Sequence, residues 1–503
     1  MTRGIRRGLG ILLAVGAGAP LPAQTVTTSA GPERVAVTVY RNPDRSADDA
    51  IDLGWLQGYA LVTETRRLTI PAGTATIRFE GVAAGALPES AIVTGLPAGV
   101  SEKNLDADLL SPRSLYDRSL GRPVTIRRTY PDGRVIEEAA VIRSAAEGAM
   151  VVQTRAGVEA LQCSGLPEAI VYPDIPPGLS AKPTLSVETS SPRAAEAVVT
   201  LSYLAWGFDW QANYVVDLGS DGRTARLFAW VTLANGDDTG FANAATAVVA
   251  GKLNRESDAS DMPERPDPEL YVECQQEEAP APPPPAPPPP PPVMMAAPAM
   301  RMEAMDVVVT GSRLVRQEEL GDLKLYRVPF PTTVAARAQK QVAMLDRTGV
   351  PVRIVHVSEV YGGDVNDTTI ELRTRNRRED GLGVPLPAGP VAVFRPGAGK
   401  RLLAGEGSLD DKAVGEDVEI AIATPTQVDA DAEEDENGRV TLTVTNANPW
   451  PVAYEAKIGA EDGGRITGAS ARLLREDGRN VWKTTVPANG SATLRYRLVK
   501  SKN

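Results

Sequence analysis

The sequence predicts a mainly β protein made of several sandwich or barrel modules, interrupted by a disordered proline-rich insertion. Three observations carry this reading. One phrase recurs as Ile70-Pro71-Ala72-Gly73, Leu386-Pro387-Ala388-Gly389 and Val486-Pro487-Ala488-Asn489-Gly490, each time ahead of alternating residues. Proline fixes φ and ends strand pairing, and glycine accepts the positive φ of a reversal, so the phrase reads as a tight turn between hairpin strands. Period-2 alternation recurs along most of the chain and no helical heptads occur. Hydrophobic residues make up 42 % and aromatics only 5 %, so the cores lean on Val, Leu, Ile and Ala.

The 503 residues allow two to four domains. Residues 1–23 read as an export signal: Arg3, Arg6 and Arg7 precede an apolar run, and Pro20-Leu21-Pro22-Ala23 offers cleavage before Gln24. Removing it leaves 50 basic against 64 acidic residues, a net charge of −14. That balance argues against a nucleic-acid partner. No further segment is long and apolar enough for a transmembrane span.

Residues 24–108 read as a small N-terminal β-sandwich, with strands at 34–40, 59–70 and 75–79 and a polar insertion over 41–52. Residues 109–182 read as an SH3-like barrel: a short helix over 111–120, then strands at 123–129, 134–143, 149–154, 158–162 and 169–172. Residues 184–274 return to long strands. The Pro/Met-rich stretch 275–305 reads as a disordered linker. Its proline run, 280–298, favours polyproline II and would reach about 60 Å, as a spacer or a docking segment. Strands resume over 306–425, and 426–503 reads as an immunoglobulin-like sandwich that opens on an acidic loop, 429–436.

Candidate chemistry is sparse. His356 is the only histidine, which removes HExxH and His-rich metal sites and leaves it the sole base for any Ser-His-Asp triad. It reads as a strand histidine at a sheet surface. Gly397-Ala-Gly399-Lys400-Arg401 reads as a turn, because Phe394 stands where a phosphate loop needs its first glycine. Asp429, Asp431, Glu433, Glu434, Asp435 and Glu436 lack the EF-hand spacing and read as a solvated loop. Trp206, Phe208 and Trp210 fall on one strand face and, with Tyr214, read as core in preference to a stacking platform. No catalytic, metal or cofactor-binding residue emerges. Cys163 and Cys274 form a disulfide candidate in an oxidising compartment; the bridge would close a loop of about 110 residues, worth up to ~4–5 kcal/mol.

Several ordered phrases resemble one family. They include Leu201-Ser-Tyr-Leu-Ala-Trp-Gly-Phe-Asp-Trp210, Phe241-Ala-Asn-Ala-Ala-Thr-Ala-Val-Val-Ala-Gly251, Leu320-Gly-Asp-Leu-Lys-Leu-Tyr-Arg-Val-Pro329, Val414-Gly-Glu-Asp-Val418 and the last two copies of the turn phrase. Over residues 190–500 the chain resembles the mucoidy-inhibitor-A-like envelope proteins, whose shared region is a domain of unknown function. Many members carry an N-terminal coiled coil; a β-rich segment takes its place here. The resemblance implies an exported bacterial envelope protein, periplasmic or outer-membrane-associated, and supplies no catalytic residues. Residues 307–313 also resemble the segment that opens the plug of TonB-dependent outer-membrane receptors.

Together these readings predict a non-catalytic envelope protein that binds protein or polysaccharide. The alternatives are a glycan hydrolase acting through paired carboxylates, and a structural or secretion-related component docking an outer-membrane partner through residues 280–313. Two outcomes follow for the exported chain. N-terminal sequencing begins at Gln24, and non-reducing mass spectrometry finds Cys163 linked to Cys274; two free thiols would end the pairing.

Overall fold

The computed structural model describes residues 25–29, 31–106, 109–144, 150–176, 179–251, 270, 314–321, 323–397, 399–459 and 464–499. The chain is mainly β, with 61 % strand and 2 % helix in several separate sheets. The export signal with Ala23 and Gln24, Cys274 and the stretch 280–313 lie outside the described residues.

The longest element, Ala195–Leu218, spans 24 residues. At roughly 3.3 Å per residue it runs about 80 Å. Its first half pairs antiparallel with Gly58–Ile70, and its second half pairs antiparallel with Thr224–Asn235. Between the halves the register shifts across Trp206 and Phe208. Gly207 sits there at φ +86°, where glycine alone is unstrained. The bulge changes the phase of the alternation. Val199, Leu201, Tyr203 and Ala205 face the core before it; Phe208, Trp210, Ala212, Tyr214 and Val216 face the core after it. Trp206 therefore does not share a face with Phe208 and Trp210, as uninterrupted alternation predicts. It is buried on the opposite side, edge-on to Tyr59, which stacks on Tyr40.

This strand is the spine of a 12-stranded sheet whose main path also carries Arg34–Tyr40, Phe241–Ala250, Leu323–Arg327 and Ala338–Pro351. Pairing of Gly58–Ile70 with Ala195–Leu218 crosses the boundary at 108 that the sequence suggests, so the first strands belong to the sheet of the later domain. A four-stranded sheet of Thr25–Ser29, Gly73–Glu80, Thr184–Ser191 and Glu102–Asp106 packs over it. Ile77, Phe79, Leu185 and Val187 from this layer share one core with Val37, Val62, Val199 and Leu201 from the other.

The repeated phrase turns the chain, but not into hairpins. Gly58–Ile70 lies in the large sheet, and Gly73–Glu80 lies in the facing four-stranded sheet. Arg479–Val486 and Gly490–Val499 likewise belong to two different sheets. The phrase marks corners between layers. Proline stops pairing with the old neighbour, and Gly73 (φ +88°) or Asn489 (φ +47°) swings the chain to the new one. At the middle copy the requirement is space: a Cβ on Gly389 would collide with the carbonyl oxygen of Ala212 on the spine.

The five-stranded module orders its strands Val158–Ala160, Val151–Gln153, Val135–Ile142, Pro123–Thr129, Glu168–Val171. Its two edge strands do not pair, so it is an open sheet and not the closed SH3-like barrel expected. Arg128 spans the gap, with Glu159 at 3.0 Å and Glu168 at 2.7 Å. Side-chain ion pairs stand where barrel closure would need backbone bonds. The helix Pro112–Asp117 starts at Ser111, which forms a capping box with Ser114, and buries Tyr116 against the module.

The C-terminal sandwich packs Val428–Glu434, Arg439–Asn446, Gly490–Val499 and Arg465–Thr467 onto a seven-stranded sheet. That second sheet contains Arg353–Tyr361, Thr369–Arg375 and Asp417–Ala423, so the sandwich reaches back across the expected boundary at 425. The acidic stretch is a correction too. Val428–Glu434 is a strand, with Val428 and Ala432 inward and Asp429, Asp431 and Glu433 outward. Only the residues after it form the turn, where Asp435 accepts hydrogen bonds from the backbone N–H groups of Asn437 and Arg439.

Two corners meet at buried Asn446. Its Nδ2 donates to the carbonyls of Trp450 (2.9 Å), Pro487 (3.0 Å) and Val486 (3.4 Å). Its Oδ1 accepts from the backbone and side chain of Asn448. Asn446→Ala removes these partners and leaves buried carbonyls unpaired; urea unfolding is expected to show a loss of about 2–4 kcal/mol. A loss under ~0.5 kcal/mol would show that the corners hold without it.

Candidate functional site

Catalysis needs a titratable group that its own surroundings leave available, so the buried ionisable side chains come first. Glu64 and Arg66 are fully buried on Gly58–Ile70, with Arg66 Nε 2.8 Å from Glu64 Oε2. Arg66 also donates to the carbonyls of Ser29 and Glu80, and Tyr203 donates its hydroxyl to Glu64 Oε1 at 2.9 Å. Burial pushes the Glu64 carboxyl up, against the pull of Arg66 and Tyr203. Through Ser29, Glu80 and Tyr203 the pair reaches three other strands, and the cluster stitches the two layers together.

Asp209 is closed in the same way. It pairs with Arg45 at 2.8 Å and accepts from the backbone N–H groups of Asn42 and Trp210. Asp237 accepts from the backbone N–H groups of Ala84, Gly85 and Thr239. On the seven-stranded sheet Arg373 lies among Glu371 (2.8 Å), Glu455 (2.7 Å) and Glu419 (3.3 Å). Lys483 approaches Glu455 at 3.4 Å, and Lys457 approaches Glu419 at 3.9 Å. Burial works against the Arg373 charge, yet the Glu455 and Glu371 carboxylates hold its pKa above the ordinary value. A two-carboxylate hydrolase needs one free acid and one free base. In the Arg373 cluster Glu371, Glu419 and Glu455 each have a cation against them.

His356 is not a surface residue; it is 8 % exposed, on Arg353–Tyr361 between Thr369–Arg375 and Val452–Gly459. The sequence alternation placed it on a strand but gave no sign of the parallel neighbour, opposite Tyr454, that covers it. Its Nδ1 has no hydrogen-bond partner among the described residues, so no carboxylate orients it for a triad. Ser358, two positions on, pairs its hydroxyl with Thr368 at 2.8 Å. Gly389–Gly397 and Lys400–Leu409 form a hairpin, which makes the glycine-lysine phrase a turn. There Arg401 pairs with Asp217 and lies over the Phe394 ring. Trp206, Phe208, Trp210 and Tyr214 are all buried, Trp210 donating its indole N–H to the Val249 carbonyl and Tyr214 its hydroxyl to that of Pro387.

Cys163 is half-buried beyond the strand Val158–Ala160; its proposed partner, Cys274, is outside the described residues. Leu161 beside it lines a cavity of about 630 Å³ on the open module, with Leu115, Met150, Ile170 and Tyr172. Leu270, from the long connection after Gly251, packs into that same cavity. The chain's own residue thus supplies part of the wall of this recess.

A further open cleft lies just past the polar insertion expected over 41–52, among residues to which the sequence expectations assign no role. The segment 41–57 joins Arg34–Tyr40 to Gly58–Ile70 and is pinned to the spine. Arg45 donates to Asp209, to the Trp210 carbonyl (2.7 Å) and to Gln211 (3.2 Å). Gly54 donates to Asp52, and Trp55 donates its N–H to the Asp52 carbonyl. The pinned loop holds Trp55 68 % exposed. Beside it opens a cavity of about 170 Å³ lined by Leu53, Trp55, Leu56 and Gln57 and floored by Gly54, Gly207 and Gly236. A tryptophan in a run of Gly and Asp, outside any alternating strand, was the signal available in the sequence.

Among the described residues no group of three or more His, Cys, Asp or Glu is arranged to hold a metal ion, and no helix is long and apolar enough to cross a membrane. Compared with family models and with curated proteins, the chain matches none.

The covered histidine gives a pH signature. Burial holds its pKa below the usual histidine value, so between the two values the unfolded chain binds more protons than the folded one. Stability therefore rises with pH through that window and falls as the solution is acidified below about 6.5. Urea unfolding at pH 7.5 and 5.5 is expected to show this loss in the wild type and a smaller one in His356→Asn. Equal slopes would assign the acid sensitivity to other groups.

Proposed function

We propose that the chain is an exported bacterial envelope protein, periplasmic or outer-membrane-associated, that acts by binding and carries no catalysis of its own. The observation that supports this best is the closure of its buried ionisable groups. Glu64, Asp209, Asp237 and Glu455 each meet an arginine or backbone N–H groups of the chain itself. Groups arranged this way hold sheets together and are buried out of reach of a substrate. The exposed tryptophan on a pinned loop is the kind of feature that rigid scaffolds present to partners. The resemblance to the mucoidy-inhibitor-A-like envelope proteins points the same way.

Affinity capture from the native envelope with the full chain tests this reading. A partner held reproducibly through washing, together with no release of reducing sugar from envelope polysaccharide, is the expected result. Steady glycan turnover abolished by a single Glu→Gln substitution would replace the binding reading with the hydrolase.

A further inference from the structure

We propose that the cleft beside Trp55 docks a basic segment of a partner protein and seats a lysine or arginine side chain against the indole. The proposal rests on the binding reading above and names the chemistry of its partner. The cleft is lined by the Trp55 indole, by the apolar Leu53 and Leu56, and by Gly54, Gly207 and Gly236. At Gly207 and Gly236, joined by a Gly236 N–H to Gly207 carbonyl bond of 2.8 Å, the lining is bare backbone. A tryptophan face attracts a cation through its quadrupole, and an alkyl stem packs on the same surface.

Charge complementarity selects the occupant. The loop carries Asp44, Asp48, Asp49 and Asp52, all exposed. Its own cations are engaged elsewhere: Arg41 pairs with Asp411 at 2.5 Å and Arg45 with Asp209 at 2.8 Å. Among the described residues no ion pair joins Asp48, Asp49 or Asp52. The loop that carries the indole therefore presents negative charge, with Asp52 in the same turn as Trp55, which raises the local concentration of a basic segment and disfavours an acidic one. The Arg45–Asp209 pair holds the loop in place beforehand, so docking has little ordering to overcome.

The test uses the full chain and a fluorescein-labelled decalysine peptide, followed by fluorescence anisotropy at low and moderate salt. Trp55→Ala leaves the net charge unchanged and removes an exposed side chain, so thermal unfolding should match the wild type. Its affinity for decalysine is expected to fall roughly tenfold, with Trp55→Phe in between. Asp48→Asn is expected to weaken binding about threefold at low salt and less at moderate salt. Equal affinity of wild type and Trp55→Ala overturns the proposal. So does Trp55-dependent binding of a neutral cello-oligosaccharide with decalysine affinity unaffected by the substitution. In either case an envelope partner captured equally by wild type and Trp55→Ala would leave the binding function standing and remove only this site.

Discussion

The long spine strand Ala195–Leu218 is the constraint on which the other sheets depend. It is the only described element that pairs with the N-terminal strand Gly58–Ile70, with Thr224–Asn235 and with Gly389–Gly397. A continuous ladder of that length would twist both halves as one surface. The bulge at Gly207 breaks the ladder and reverses which side chains point inward. One half then packs on the N-terminal layer with Val199, Leu201 and Tyr203, and the other carries the same core onward with Phe208, Trp210 and Tyr214. The same bulge forms part of the floor under Trp55, so the element that organises the core also shapes the open cleft.

Corners between layers do the remaining joining. Gly58–Ile70 and Ala195–Leu218 leave the large sheet side by side: Ala195 is opposite Ile70 in one sheet, and Ser191 is opposite Gly73 in the other. Two paired strands thus change layer together and keep each other's hydrogen bonds on both sides of the corner. The C-terminal sandwich does the same with Arg439–Asn446 and Gly490–Val499 passing to Val452–Gly459 and Arg479–Val486, and Asn446 satisfies the carbonyls exposed where pairing stops.

Charges buried in this framework are placed where separate strands meet, between layers or within one sheet. Arg66 reaches carbonyls on two other strands, and Arg373 gathers carboxylates from three strands of one sheet. Removing one partner from such a pair leaves an uncompensated charge, so these groups fix register and pairing at a cost that the surrounding hydrogen bonds offset. The pinned loop around Trp55 joins an apolar recess to exposed carboxylates.

The sequence by itself determined the β class, most of the strands and the turn character of the Pro-Ala-Gly phrase, because alternation and proline act locally. Strands 123–129, 439–446 and 452–458 stood out for that reason. The acidic strand Val428–Glu434 did not, since its inward residues are only Val428, Ala430 and Ala432 and its charges outweigh them. Which sheet each strand joins was decided by tertiary structure: a Pro-Ala-Gly turn fits a hairpin and a layer corner equally well, and only packing across the layers distinguishes them. The open edge of the five-stranded module, the reversed face of Trp206 and the covering of His356 depend on long-range partners for the same reason. Trp55 was visible as a residue, but its meaning required the Arg45–Asp209 pair, 164 positions apart in sequence, that holds its loop against the spine and leaves the indole in solvent.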